Sequence, residues 1–204
     1  MVMAEATNHY FKHLGVSDGL SQVCIPSIYQ DELGAVWLGT TEGLNRYNGK
    51  DVKVFQPSES NHGLTNNEIN ELCGDKNGRM YIRSGNDLIK LDIYTEQFTC
   101  LRQKGVYGLF CKKDTLWVSC ADGIYYYTGQ GTELTFFARV QKGFVGRALY
   151  VDKETVWVVT RKYLVAISRE DPLRQEILLT LDKGNCILGD SSGNIWVGAW
   201  NLSL

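Results

Sequence analysis

The segment Asp31-Glu32-Leu33-Gly34-Ala35-Val36-Trp37-Leu38-Gly39 decides the fold of this 204-residue chain. It reads as a tight turn followed by a short apolar strand, because aspartate begins a turn by bonding nearby backbone and glycine supplies a left-handed residue. The spacing Asp-x-x-Gly-x-x-aromatic returns at Asp75-x-x-Gly78-x-x-Tyr81 and at Asp190-x-x-Gly193-x-x-Trp196. A turn-and-strand unit that recurs along a chain predicts a repeat architecture.

The repeat has a period near 40 residues. Five short strands are centred on an aromatic residue, and these aromatics are Trp37, Tyr81, Trp117, Trp157 and Trp196. Successive aromatics are 44, 36, 40 and 39 residues apart, which is about the length of one propeller blade. Because the aromatic occupies the same mid-strand position in every unit, we expect all five side chains in the core.

Each complete unit contains four strand-like segments, with the apolar second strand between two others. The sequence therefore predicts an all-β propeller of four-stranded antiparallel blades. We expect about four and a half blades in one domain, after an N-terminal segment at 1–18. The blades are expected at 19–62, 63–105, 106–143 and 144–184, and the half blade at 185–204.

The N-terminal segment contains Tyr10-Phe11-Lys12-His13-Leu14, which is similar to the fourth strand of the first unit at 52–55. We expect an outer blade strand at 10–14, and two arrangements stay open. Either this strand completes the half blade and closes a small ring, or the chain holds a partial ring. A partial ring exposes blade faces and strand edges, which favours self-association.

Composition restricts the class of partner. With 44% hydrophobic and 22% charged residues the chain can form a substantial core, which argues against disorder. Its net charge is −2 with no basic run, whereas nucleic acids and anionic membrane surfaces require clustered lysine and arginine. We therefore predict no nucleic-acid partner and no membrane contact. The first ten residues contain no apolar core of a signal peptide.

The six cysteines form no Cys-x-x-Cys pair, so the sequence indicates no closely spaced zinc site. They are Cys24, Cys73, Cys100, Cys111, Cys120 and Cys186, and we expect most of them to be buried free thiols. The aspartates that begin the turns are predicted to cap those turns and not to bind a cation, because one carboxylate per turn falls short of a calcium site. No metal and no cofactor are predicted.

The first unit carries a resemblance to a known family. The relevant strings are Gly19-Leu20-Ser21, Ile28-Tyr29-Gln30-Asp31, Trp37-Leu38-Gly39-Thr40 and Gly43-Leu44-Asn45-Arg46-Tyr47. The match recurs at 63–66 and 190–198 and weakens in the units between. They resemble the two-component-regulator propeller repeat of hybrid two-component histidine kinases that control polysaccharide use. The resemblance implies a periplasmic, non-catalytic sensor domain that recognises a glycan or oligosaccharide.

Candidate binding residues lie in the loops that join second to third strands. In propellers these loops share one face with the loops that lead into each first strand, which here contain Ser21, Asn66, Asn67 and Arg147. A sugar site needs aromatic platforms and planar hydrogen-bonding groups. The candidates are Glu42, Arg83, Asn86, Asp122, Arg161, Lys162, Tyr163 and Trp200, and the cations Arg83, Arg161 and Lys162 favour an acidic glycan. Ordinary solvated loop residues are the alternative for each position.

Few features of the sequence indicate an enzyme. The chain has no nucleophile elbow, no P-loop and no His-Glu-x-x-His motif, and its histidines are His9, His13 and His62. Glu42 and Asp122 are two acids on the predicted ligand face, and a glycosidase needs such a pair. A propeller lyase or glycosidase is therefore the least favoured alternative, behind a protein–protein interaction propeller. We predict no catalytic residue.

Overall fold

The structure is a computed structural model that describes residues 12–57 and 63–201. Within these residues the strands form four four-stranded sheets and one two-stranded sheet, and every pairing is antiparallel. Strand order in each four-stranded sheet follows the chain, as in a meander. The expectation of an all-β fold made of four-stranded antiparallel blades is confirmed.

The strands of the first two blades follow one another with short turns. Blade 1 consists of β1 (Ser27–Gln30), β2 (Val36–Thr40), β3 (Gly43–Tyr47) and β4 (Val52–Phe55). Blade 2 consists of β5 (Ile69–Gly74), β6 (Arg79–Ser84), β7 (Asp87–Asp92) and β8 (Gln97–Arg102). A short 3-10 helix, Val16–Asp18, precedes blade 1.

The later blades repeat this arrangement. Blade 3 consists of β9 (Val106–Lys112), β10 (Thr115–Cys120), β11 (Gly123–Tyr127) and β12 (Thr135–Ala138). A 3-10 turn, Gln141–Gly143, leads to blade 4, which consists of β13 (Gly146–Val151), β14 (Thr155–Thr160), β15 (Tyr163–Ser168) and β16 (Gln175–Thr180). The half blade consists of β17 (Asp182–Gly189) and β18 (Ile195–Asn201).

Two predicted borders differ from the structure. The predicted outer strand at 10–14 lies partly outside the described residues, and its residues 12–14 lie in no strand. Instead, Lys12 Nζ donates a hydrogen bond to the Tyr47 hydroxyl of blade 1 at 3.0 Å. The half blade begins at Asp182 and not at 185, because Asp182 pairs with Asn201 and extends the ladder through a segment that reads as a turn.

The first strands of neighbouring blades lie next to each other, in the order β1, β5, β9, β13 and β17. The turns between second and third strands lie at one end of these strands, beside the loops that lead into the next blade. Gly43 N–H donates to the Asn67 carbonyl oxygen at 2.8 Å, and Gly184 N–H donates to the Arg161 carbonyl oxygen at 3.0 Å. This end of the blades is called the upper face below, and both groups of loops lie there as expected.

The hydrophobic core lies between neighbouring blades. The two blade surfaces that meet at each contact differ in the kind of residue that their second strands contribute. Trp37 of blade 1 packs with Met80 and Ile82 of blade 2. Trp117 of blade 3 packs in the same way with Val156 and Val158 of blade 4. At these contacts the second strand of one blade thus presents an aromatic residue to aliphatic residues of the next second strand, while aromatic residues of outer strands also meet across the contact, as Phe55 does with Phe98.

The five recurrent aromatics differ in burial. Trp37 and Tyr81 are fully buried and Trp117 is nearly so, whereas Trp157 is half-buried. Trp196 of the half blade is 62% exposed, which contradicts its predicted place in the core. The reason is that Trp196 lies on the aromatic side of the half blade, and no described blade packs against that side.

The turn aspartates cap their turns and also bind the core aromatic. Asp31 is 4% exposed; it accepts hydrogen bonds from Leu33 N–H at 3.0 Å and from Ala35 N–H at 2.9 Å. Its second carboxylate oxygen accepts a 2.7 Å bond from the indole N–H of Trp37. The predicted capping is therefore correct, and the aspartate also fixes the indole to the turn.

The same bond recurs in blade 4 and in the half blade. Asp152 accepts from Trp157 Nε1 at 2.7 Å and Asp190 accepts from Trp196 Nε1 at 2.9 Å. Hydrogen bonds from Trp196 and Asn194 lower the pKa of Asp190 to about 2. In blade 2 the aromatic is Tyr81, which has no indole N–H, and the Asp75 carboxylate instead accepts from the Arg79 guanidinium.

The cysteines are free thiols, but only Cys120 is buried. Cys24, Cys100 and Cys186 are exposed, and Cys73 and Cys111 are half-buried, which corrects the expectation that most are buried. The reason is strand position: Cys100 lies on the outermost strand of blade 2, and Cys186 lies on the half blade. An apolar run in a short strand therefore does not ensure burial of both faces.

The aspartate–indole bond predicts a large effect on stability in blade 1. Asp31→Ala removes three hydrogen bonds to a buried carboxylate and leaves the buried indole N–H without its acceptor, so we expect a loss of about 3 kcal/mol in the free energy of unfolding. Asp190→Ala, the matched change at an exposed turn, should cost clearly less. Urea unfolding of both variants measures the difference, and equal losses would contradict a role for burial.

The two unlike blade sides predict head-to-tail self-association of this chain. The aliphatic side of blade 1 exposes Ile28 (63%) and the aromatic side of the half blade exposes Trp196 (62%), and together they reproduce the pairing at the internal contacts. We expect light scattering to show mass rising with concentration. Ile28→Asp or Trp196→Glu should abolish the rise, whereas Leu173→Asp, at a 91% exposed loop residue, should not. A chain that stays monomeric at every concentration would contradict this prediction.

Candidate binding site

A cleft of about 370 Å³ opens on the upper face between blades 3 and 4. Its side chains come from four segments that the fold brings to one place. Blade 3 contributes Tyr107 near the start of β9, and blade 4 contributes Arg147 near the start of β13. The turn between β14 and β15 contributes Arg161 and Lys162, and Phe144 of the loop into β13 completes the wall.

The turn that carries Arg161 and Lys162 is held by one hydroxyl group. The Thr160 hydroxyl is buried and donates to the Tyr163 carbonyl oxygen at 3.1 Å. It also accepts from Lys162 N–H at 3.2 Å and from Tyr163 N–H at 2.9 Å. The backbone between the two cations is therefore fixed, and their side chains project from a defined base.

Close backbone contact fixes the position of Arg147. A Cβ atom added at Gly108 of β9 would lie 2.7 Å from the Arg147 carbonyl oxygen, so only glycine permits this approach. The Ser119 hydroxyl donates to the Gly146 carbonyl oxygen at 2.9 Å, again joining blade 3 to blade 4. Blades 3 and 4 are thus in close contact beside Arg147.

The cleft combines free positive charge with apolar surface. Arg147, Arg161 and Lys162 are exposed, and none forms an ion pair with another residue in the described part of the chain. Tyr107 and Phe144 are half-buried, and the Phe144 ring contacts the Tyr163 ring with centroids 4.9 Å apart. Such a site offers aromatic surface to a ring and charged donors to an anion.

A second cavity of about 310 Å³ adjoins the cleft. Phe144 lines both spaces, and the second is also lined by Asp122 and Arg139. Asp122 accepts a 2.7 Å hydrogen bond from Arg102 and a 2.8 Å bond from the Tyr125 hydroxyl. Burial alone would raise the pKa of Asp122, but these hydrogen bonds outweigh it and leave the pKa below its usual value.

The structure separates the predicted binding residues into two groups. Arg161 and Lys162 line the cleft, and Tyr163 supports it through Phe144. Asn86 and Glu42 lie in the corresponding turns of blades 2 and 1, where their carbonyl oxygens accept from Val106 N–H and Gln56 Nε2. These two residues are on the upper face but in other blades.

Two further candidates, Arg83 and Trp200, do not line the cleft. Arg83 is bound to Glu71 at 3.3 Å, so it is not the third free cation that the sequence indicated. Burial raises the pKa of Glu71, and the Arg83 guanidinium acts in the opposite direction. Trp200 on β18 is 78% exposed and belongs to the half blade.

Sequence reasoning did not select Tyr107, Phe144 or Arg147 as site residues. The sequence places Arg147 in a loop that leads into a first strand and therefore on the upper face, and the structure places it near the start of β13. Tyr107 and Phe144 carry no local signal in the sequence, since the contact between two blades brings them to the same space.

Residues 12–57 and 63–201 contain no group of three or more histidine, cysteine, aspartate or glutamate side chains arranged to hold a metal ion. In the same ranges, no helix combines the length and apolarity needed to cross a membrane.

These observations define the class of protein: a β-propeller of four-stranded blades with a cationic, aromatic cleft on its upper face. Residues 19–42 match the family described as Two component regulator propeller. Blade 1 therefore carries a two component regulator propeller repeat, and the resemblance predicted from its sequence is confirmed.

Two similar proteins extend this result. The chain is 40% identical over 53 residues to Histidine kinase P4 of Formosa agariphila, a match that covers 26% of this chain and 4% of that protein. It superposes on the extracellular domain of a putative hybrid two component system from B. thetaiotaomicron with a TM-score of 0.80 and 23% identity, covering 92% of this chain and 29% of that one. The chain thus spans less than a third of each.

The same fold occurs in an enzyme. A gluconolactonase from Xanthomonas campestris superposes with a TM-score of 0.62 and 13% identity, covering 84% of this chain and 68% of that one. Identity at this level indicates a shared propeller fold and carries no statement about activity.

The hydroxyl that holds the cationic turn gives a prediction about stability and local order. Thr160→Val keeps the shape of the side chain but removes three hydrogen bonds, so we expect a loss of about 2 kcal/mol in the free energy of unfolding. Hydrogen exchange at the amides of Lys162 and Tyr163 should also accelerate. Thr160→Ser keeps the hydroxyl and is the control, and equal exchange in the two variants would contradict the role of the hydroxyl.

Proposed function

We propose that this chain is part of the extracytoplasmic, periplasmic sensor region of a two-component receptor and that its upper face recognises a glycan or oligosaccharide. The observation that carries the proposal is the two component regulator propeller repeat in blade 1, together with a preformed cleft on the upper face. The similarity to a histidine kinase and to an extracellular domain of a hybrid two component system supports the sensor role.

The cleft suits a carbohydrate for chemical reasons. Sugar rings present an apolar face of C–H groups and an edge of hydroxyl groups, so a site for them combines aromatic rings with planar hydrogen-bond donors. Tyr107 and Phe144 supply rings, and Arg147 and Arg161 supply guanidinium groups. A volume of about 370 Å³ lies within the range of small-molecule sites.

The position of the cleft offers a route for the signal. Its walls come from two blades, so a ligand that contacts both Tyr107 of blade 3 and Arg161 of blade 4 favours one packing of these blades over others. A ligand shifts an equilibrium only through a difference in affinity for the two states. We propose that the change in blade packing passes to the rest of the receptor.

Calorimetric titration of this chain, and of the complete sensor region of its receptor, with a panel of neutral and acidic oligosaccharides tests the proposal. We expect at least one oligosaccharide to bind, and Arg161→Ala to weaken that binding about tenfold or more, which corresponds to about 1.4 kcal/mol. Lys50→Gln, at an exposed residue in the turn between β3 and β4, is the control. If no oligosaccharide binds to either protein, the proposed function is wrong.

A protein partner on the same face is the second candidate, favoured by the exposed Trp200, which is 78% accessible. Pull-down experiments with Trp200→Ala and Arg161→Ala separate the two functions. Loss of a captured protein in both variants, with no oligosaccharide binding by the unaltered chain, would favour a protein ligand. We expect instead that the unaltered chain binds an oligosaccharide and captures no protein that both variants lose.

A catalytic role has weaker support. Glu42 and Asp122 lie on blades 1 and 3, with blade 2 between them. The lowered pKa of Asp122 also makes it a poor general acid, which needs a proton to give at neutral pH. Turnover of a glycan that Glu42→Gln or Asp122→Asn abolishes would nevertheless establish an enzyme.

A further inference from the structure

The cations of the cleft are a local feature of a chain that is acidic as a whole. The sequence carries a net charge of −2, yet Arg147, Arg161 and Lys162 gather around one cleft and are exposed. Asp182 and Lys183, at the start of the neighbouring β17, add one charge of each sign. The positive potential is therefore concentrated in the cleft.

Two other arginines of the upper face are already paired with carboxylates. Arg83 is bound to Glu71 at 3.3 Å and Arg102 is bound to Asp122 at 2.7 Å. Within residues 12–57 and 63–201, the three cations of the cleft have no such carboxylate partner. Like charges placed close together repel one another, so an anion that binds between them relieves this repulsion.

The geometry points to an anionic sugar as the ligand of this cleft. We infer that Arg147, Arg161 and Lys162 bind a carboxylate or sulfate group on the sugar, while Tyr107 and Phe144 contact its ring. This inference rests on the proposed glycan-sensing function and narrows it to acidic glycans. Guanidinium groups suit the task because their planar donors bind oxyanions in a bidentate manner.

The supporting backbone makes the site suitable for a charged ligand. Thr160 holds the turn of Arg161 and Lys162, and the close approach of Gly108 fixes the wall below Arg147. The charged groups therefore start from a fixed frame, and less conformational freedom is lost when an anion binds. Phe144, held against the Tyr163 ring, is likewise in place beforehand.

Matched ligands test the inference directly. Calorimetry of the full chain should compare oligogalacturonides with the same oligomers after methyl esterification, which removes the charge and keeps the sugar ring and the linkage. A sulfated oligosaccharide of similar length forms the third arm and distinguishes sulfate from carboxylate. We expect the acid or the sulfate to bind at least tenfold more tightly than the ester, and this preference to shrink as the salt concentration rises.

Variants locate the binding. Arg147→Gln and Arg161→Gln should each weaken binding of the preferred anion about tenfold, and Arg161→Lys should weaken it less. Lys50→Gln, at an exposed lysine in the turn between β3 and β4, is the matched loss of charge elsewhere and should leave affinity unchanged. Urea midpoints equal to that of the unaltered chain confirm that each variant is folded.

The outcomes separate this inference from the function on which it rests. Equal affinity for the acid and its ester, or tighter binding of neutral oligosaccharides, overturns the inference and leaves glycan sensing in place. Anion binding that is unchanged in both arginine variants overturns the assigned site. If no carbohydrate of any charge binds, the inference and the proposed function both fall.

Discussion

The contact between an aromatic second strand and the aliphatic side of the next blade is the constraint on which the rest of the structure depends. Trp37 is fully buried in such a contact, and its indole N–H is bonded to the carboxylate of Asp31. One aspartate thus closes a turn and sets the depth of the core residue six positions later. The blade cannot shift its second strand without breaking either the turn or the core.

The cleft is a consequence of these contacts. Blades 3 and 4 meet closely along β9 and β13, where Gly108 lies against the backbone of Arg147. At the upper face the cleft opens beside this contact, and Phe144 of the loop into β13 lines both the cleft and the adjoining cavity. Strands in close contact thus support a cleft whose other binding residues lie on loops and turns, an arrangement common in binding proteins.

The sequence predicted the repeat well because its signals are local. The Asp-x-x-Gly-x-x-aromatic spacing lies within one turn and one strand, and a period near 40 identifies the blade. Burial was predicted less well, since it depends on what packs against each blade side: Trp196 has the same local pattern as Trp37 but is exposed.

The site was predicted only in part for the same physical reason. Arg161 and Lys162 lie on a turn that can be recognised from the sequence, and both line the cleft. Arg83 looked equivalent, but its pairing with Glu71 depends on the register between β5 and β6. Tyr107 joins the site through a contact with blade 4, which is distant in sequence and leaves no local signal.

Because the two sides of each blade differ, successive blades all pack in the same orientation. In the described blades the aromatic residue of one second strand packs with aliphatic residues of the next second strand, so each blade offers its successor a second-strand surface like the one that it receives from its predecessor. Duplication of one 40-residue unit during evolution would therefore insert a blade whose two contacts already fit. Lineages that inherit such units can change blade number while the loops of the upper face diverge, so specificity and architecture evolve separately.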